Sequence, residues 1–199
     1  MRVLALSAHS DDVELACGGT IAKLTERGDL VKHVVFSICG EPTHLDEFYA
    51  ANKVLGVETS DIRNLQHRVF PEARQAILEY LYTARKAYSP ELVLCPYLGD
   101  IHQDHQTVAQ EAVRAFGRGT NIWMYELPYN CPDFKPTIFV PLTVQALQRK
   151  NEALQCYKSM VHEPYFDPDV IRSLMVVRGL QCEATFAEAF HGFRTRQTL

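Results

Sequence analysis

Short apolar runs alternate with longer stretches of helical periodicity along the whole chain. Val3 to Ser7 is a compact apolar run and reads as a buried strand. Ala8 to Gly19 reads as a polar loop, with Gly18-Gly19 as a tight turn, and Thr20 to Arg27 as a helix stopped at Gly28-Asp29. Val31 to Cys39, rich in β-branched residues, is a second strand. Leu45 to Leu55 has helical spacing and ends at Gly56, a residue suited to a helix C-cap. A weaker strand covers Ile62 to Leu65. Pro71 then opens a helix over Glu72 to Ala87, where Ala73, Ile77, Leu78 and Leu81 share one face; proline suits a first turn because its missing donor has no partner there. Further strands fall at Glu91 to Pro96, Asn121 to Leu127 and Ile138 to Val140, and further helices at Asp104 to Phe116 and Leu142 to Met160. The tail from Val170 to Arg194 combines a helix with the apolar stretch A-E-A-F-H-G-F.

Strands alternating with helices imply β-α-β units and a mostly parallel sheet covered on both faces. The pattern therefore predicts one Rossmann-like, three-layer α/β domain over residues 1–199, with no internal repeat and no dividing linker. Composition agrees: 47% hydrophobic and 22% charged residues suit a globular core and exclude a disordered or fibrous chain. The net charge of −4, without a basic block, argues against a binder of nucleic acid. No run reaches the roughly 18 apolar residues of a membrane span, and the N-terminal apolar run is too short for a signal peptide, so the expectation is a cytoplasmic chain. The six cysteines, Cys17, Cys39, Cys95, Cys131, Cys156 and Cys182, form no close pair and read as reduced, packed thiols.

In such sheets ligands sit beyond the carboxyl ends of the strands. Two strand-end loops carry dense polar chemistry: A-H-S-D-D at Ala8 to Asp12, and D-I-H-Q-D-H at Asp100 to His105. Each residue alone could be a cap or a surface group. Two histidine–carboxylate clusters at one edge are better explained by a shared site. Two histidines and a carboxylate can hold a catalytic metal, leaving a carboxylate and a histidine for proton transfer and another aspartate to orient an imidazole. His33, His44, His67, His162 and His191 lack comparable acidic company and read as structural or surface residues. Neither G-x-G-x-x-G nor G-K-[ST] is present, which argues against a nicotinamide site or a P-loop.

A-H-S-D-D followed by G-G-T, with H-Q-D-H about ninety residues on, resembles the LmbE-like (PIG-L) family of zinc-dependent N-deacetylases, and the order of elements matches from Arg2 to about Arg194. The resemblance implies His9, Asp12 and His105 as metal ligands, Asp11 as general base, and His102 as acid or oxyanion partner with Asp104 bonded to it. It implies zinc, with iron(II) suited to the same donors. Arg68 and Glu47 stand where the family carries substrate-side residues, Glu188 near a pocket feature, and Tyr125, Glu126 and Pro128 along the cleft. Ser10 and Val13 replace the family's frequent proline and glutamate. The implied partner is a small N-acetylated amino sugar or glycoconjugate, and a homo-oligomer is compatible with the resemblance. Two other readings stay open: an amidase for a larger acyl group or thiol conjugate, and a non-catalytic module that binds sugar or metal.

Overall fold

The computed structural model describes residues 1–38 and 42–195. Seven strands form one sheet in the order β3-β2-β1-β4-β5-β7-β6. They are β1 (Arg2–Ser7), β2 (Leu30–Val35), β3 (Thr59–Ile62), β4 (Leu92–Pro96), β5 (Asn121–Tyr125), β6 (Ile138–Pro141) and β7 (Ala187–Arg194). The first five run parallel, with Val3 opposite Leu92 and Leu4 opposite Lys32, while β7 pairs antiparallel with both β5 and β6. Strand order reverses between β1 and β4, which opens a crevice at their carboxyl ends.

Among the described residues six α-helices cover the sheet: α1 (Asp12–Glu26), α2 (Pro42–Leu55), α3 (Arg74–Tyr88), α4 (Gln103–Phe116), α5 (Val144–Leu154) and α6 (Pro168–Leu180). Alternation along β1 feeds two cores. Val3 and Ala5 pack with residues of α1, α2, α5 and α6, whereas Leu4 and Leu6 pack against α3 and α4. This is the expected three-layer α/β architecture. No helix of the described residues is long and apolar enough to cross a membrane.

The largest departure from the pattern is α1, which starts at Asp12 rather than Thr20 and absorbs the Gly18-Gly19 turn. Its first half is buried almost all round, so it shows no amphipathic stripe. A kink at Cys17 (φ −140°, ψ 21°) divides it, and the Thr20 boundary lies just beyond that kink. Both glycines sit in tight packing: a Cβ on Gly19 would lie 2.6 Å from Leu142 Cδ1, so that side chain would have to shift, and one on Gly18 would lie 3.3 Å from Lys150 Cγ. The long helix expected over Leu142 to Met160 ends at Leu154 and continues as a short 3₁₀ turn, Lys158–Met160. β3 lies three residues earlier than expected, and β2 ends at Val35. Cys39 lies outside the described residues, and the other five cysteines are free thiols.

Candidate metal centre and active site

The loop after β1 supplies His9 and Asp11, and α1 begins at Asp12. Asp12 Oδ2 accepts the His9 N–H at 2.8 Å, closing a turn that puts both side chains on one side. The loop after β4 supplies Asp100 and His102, and α4 carries Asp104 and His105 in its first turn. Because β1 and β4 are neighbours, the two loops meet. His9 Nδ1 lies 3.1 Å from His105 Nε2, His105 Nε2 lies 3.4 Å from Asp12 Oδ1, and His9 Nδ1 lies 3.9 Å from Asp12 Oδ1. Ligand atoms about 2.1 Å from a tetrahedral ion stand roughly 3.4 Å apart, so this triangle matches a zinc-type donor set.

The outer hydrogen bonds fix which nitrogens face inward. His105 Nδ1 is bonded to Asp100 Oδ2 at 2.7 Å, and His9 Nε2 to Asp104 Oδ2 at 3.1 Å. With those nitrogens donating, each imidazole presents a lone pair to the other. Two lone pairs at this distance repel unless a positive charge lies between them. Burial opposes charge on His105, but Asp12 and then Asp100 outweigh it and push its pKa up to about 9. A field that holds a proton there also suits a divalent cation.

Asp11 is buried at the start of α1, and its side chain makes no capping hydrogen bond. Burial first, and the Asp12 charge second, push its pKa up to about 6. His102 caps α4, its Nδ1 accepting the Asp104 N–H at 3.1 Å, and its ring stacks on His105 with centroids 4.6 Å apart. Burial and the charges of His105 and His9 lower its pKa to about 4, so His102 is a neutral ring with Nε2–H free to donate. Asp104 differs from the expected pairing. Its carboxylate bonds to His9 and to the backbone N–H groups of Arg68 (2.7 Å) and Phe70 (3.1 Å), so it orients His9 rather than the His102 ring. Burial opposes its ionisation, but those bonds hold its pKa below the ordinary value.

The substrate-side candidates separate. Arg68 sits beside the cluster with a left-handed backbone (φ 66°) and an exposed side chain. Glu47 is not brought there; both its oxygens are taken by the Ser159 N–H (2.9 Å) and hydroxyl (2.5 Å). Glu188 is buried under α1, where it accepts from Gly19 N and Thr20 N. Tyr125 is fully buried, its hydroxyl donating to the Leu6 carbonyl at 2.8 Å. Ser10 is fixed through its carbonyl, which accepts from the Tyr157 hydroxyl, and Val13 is core. Two residues outside the expected set join the site. Asp100 anchors His105, and His67 meets the His9 ring edge-on at 4.6 Å and stacks parallel to His102 at 5.9 Å. His67 is therefore not a plain surface residue. Its signal was positional, since it follows β3 at the same sheet edge as the other loops.

Fold and centre lead to one assignment. The chain belongs to the PIG-L family, whose model, described as GlcNAc-PI de-N-acetylase, matches residues 4–116. A curated relative, the uncharacterized deacetylase YaiS of Escherichia coli (strain K12), is 29% identical over 167 residues, covering 79% of this chain and 90% of the relative. Among solved structures, GalB, the 4-carboxy-2-hydroxymuconate hydratase of Pseudomonas putida KT2440, superposes with a TM-score of 0.85 at 21% identity, covering 100% of this chain and 98% of that one. The N,N'-diacetylchitobiose deacetylase of Pyrococcus horikoshii gives 0.77 at 19% identity, over 96% and 82% of the two chains. A hydratase and a deacetylase on one fold mean that the side chains, not the fold, select the reaction.

Proposed function

We propose that this protein is a metal-dependent N-deacetylase that hydrolyses the acetamide of an N-acetylated amino sugar or its glycoconjugate, releasing acetate and a free amine. The observation that carries this reading is the convergence of His9 Nδ1, Asp12 Oδ1 and His105 Nε2 beside Asp11, a buried carboxylate with no capping bond. The donor set fits zinc first and iron(II) second. Such an ion held by these three residues would supply Lewis acidity toward the amide oxygen and an acidified water.

The chain's own groups account for the proton transfers. Asp11, pushed up to about 6, is ionised at neutral pH and still basic enough to take a proton from the attacking water. His102 donates its Nε2–H to the oxygen that gains charge as the carbon becomes tetrahedral. Asp11 then returns its proton to the nitrogen as the C–N bond breaks, so acetate and amine leave and the carboxylate is restored. Asp100 and Asp104 keep the two ligand rings in register. Arg68, exposed beside the cluster, is placed to meet the polar sugar. Support for the substrate class comes from the family description, which names an N-acetylglucosamine conjugate. The free thiols fit a reducing compartment, which favours the cytoplasm.

Metal content and acetate release, measured together on a panel of N-acetylated amino sugars, test the reading. About one zinc or iron per chain with metal-dependent acetate release is expected; a protein that takes up no metal after reconstitution and releases no acetate would refute it. Asp11→Asn should keep the metal and lose turnover by at least about a hundredfold. His105→Ala should lose the metal, and full occupancy in that variant would remove His105 from the ligand set.

A further inference from the structure

The loop after β3 is pinned to the first turn of α4 through the backbone around one residue. Arg68 donates its N–H to Asp104 Oδ2 at 2.7 Å, its carbonyl accepts from Gln103 Nε2, and the Phe70 N–H reaches Asp104 Oδ1 at 3.1 Å. These bonds hold Arg68 in the left-handed region at φ 66°. A residue with a side chain keeps that conformation only where its surroundings impose it, and such residues concentrate at functional sites. The neighbour whose ring is fixed by this arrangement is His67.

His67 and His102 flank the His9 ring in the same way. The His67 ring meets it at 78° with centroids 4.6 Å apart, and the His102 ring at 70° and 4.9 Å. The two flanking rings are parallel within 8° at 5.9 Å. His9 and His105 are buried, whereas His67 and His102 are half-buried, so these two are the rings of the cluster that a substrate meets. A nitrogen of each lies within 4.8 Å of a nitrogen of the other. Two donors at about 2.9 Å from a shared acceptor stand at most about 5.8 Å apart, so both rings can reach one oxygen.

The other groups around His67 are already occupied. Asp104 accepts from His9, Arg68 and Phe70, and His102 Nδ1 accepts the Asp104 N–H. Among the described residues the His67 ring makes only ring contacts, to His9 and His102. In either protonation state an imidazole carries at least one N–H, and the one on His67 is left for a ligand.

We propose that His67 is a further catalytic residue: its N–H and that of His102 close on the same amide oxygen and share the charge that gathers there as water adds to the carbon. Neither ring gives up its proton in this step; both donate hydrogen bonds to the oxyanion. This rests on the hydrolase reading above, which fixes where the amide lies.

His67→Phe tests it, because the variant keeps an aromatic ring against His9 and removes both nitrogens. Zinc-reconstituted parent and variant are compared for metal content, for acetate release from N-acetylglucosamine, and for calorimetric affinity toward glucosamine carrying a methylphosphonamidate, a tetrahedral anion, in place of the acetamide. The variant should keep its metal and its KM, lose about 10–100-fold in kcat, and bind the tetrahedral probe weaker by a similar factor, as for one hydrogen bond to a charged acceptor. His67→Gln, whose amide still donates, should recover part of both losses. Unchanged kcat and probe affinity in His67→Phe would overturn the proposal. So would a loss confined to KM, which would make His67 a grip on the sugar, or a loss of metal, which would make it a support for His9. The two readings fail separately. A parent that releases no acetate but binds the probe, with that binding lost in His67→Phe, sinks only the hydrolase reading, while acetate release that the variant leaves intact sinks only the role of His67. A parent that neither releases acetate nor binds the probe overturns both.

Discussion

The candidate cation site is shaped by two aspartates that stand outside it. Asp100 holds His105 Nδ1 at 2.7 Å and Asp104 holds His9 Nε2 at 3.1 Å, which turns both remaining nitrogens toward Asp12. Asp100 also accepts the His102 N–H at 2.7 Å, tying the start of α4 to the same carboxylate. Asp100→Asn preserves an acceptor oxygen but removes the charge that makes His105 a better donor. Metal affinity should then fall roughly 10–100-fold, read by competition with a chromophoric chelator; an unchanged affinity would deny Asp100 this role. At this scale the sequence was informative where histidine and aspartate are adjacent in strand-end loops, as at His9 to Asp12 and Asp100 to His105. For His67 it offered only a position at the sheet edge, because the neighbours Gln66 and Arg68 carry no metal chemistry. Only the packing of the β3 loop over His9 reveals it, and the same packing gives Asp104 to His9 rather than His102.

Elements were legible where one face is apolar and the other wet. Helices α3 and α4 show this, with buried Ile77, Leu78 and Leu81 on one and Val108, Ala112 and Phe116 on the other. The first half of α1 hides because its surroundings are protein on every side, and its carboxyl Glu14 is buried 3.9 Å from His33 Nδ1. Strand β2 carries a similar buried polar group. His33 is enclosed between Ser7 Oγ at 2.5 Å and Asn52 Oδ1 at 2.8 Å, and burial lowers its pKa from 6.5 to about 4. A neutral imidazole is thus built into the contact between β1, β2 and α2. Its contribution is complete above pH about 6.5 and is lost as pH falls toward about 4, because the unfolded chain takes up the proton first. The difference amounts to about 3 kcal/mol at most. Urea midpoints measured between neutral pH and the acid range should therefore decline more steeply for the parent protein than for His33→Gln. Parallel slopes would show that His33 does not couple folding to acid.

At the scale of the whole molecule, a buried ion pair ties α5 and β7 to the first helix. Lys150 on α5 is 2.6 Å from Glu188 on β7 and also donates to the Leu15 carbonyl at 2.7 Å, next to the kink in α1. Glu188 in turn accepts the Gly19 and Thr20 N–H groups just beyond the kink. The family match ends at residue 116, yet this latch from the remaining chain braces the helix that begins at Asp12. The pairing was not readable: Glu188 read only as part of a pocket feature in A-E-A-F, and Lys150 carried no signal until β7 is placed between β5 and β6. Lys150→Met keeps most of the stem volume but strands a carboxylate that is almost fully buried. Breaking such a pair on one side costs about 3–5 kcal/mol, so the melting temperature should drop by roughly 10 °C for a chain of this size. Adding Glu188→Gln should recover part of the loss, because the amide oxygen still accepts from Gly19 while no charge is left alone. A single variant that melts within about 2 °C of the parent would show that the charge pairing of Lys150 and Glu188 does not brace the fold.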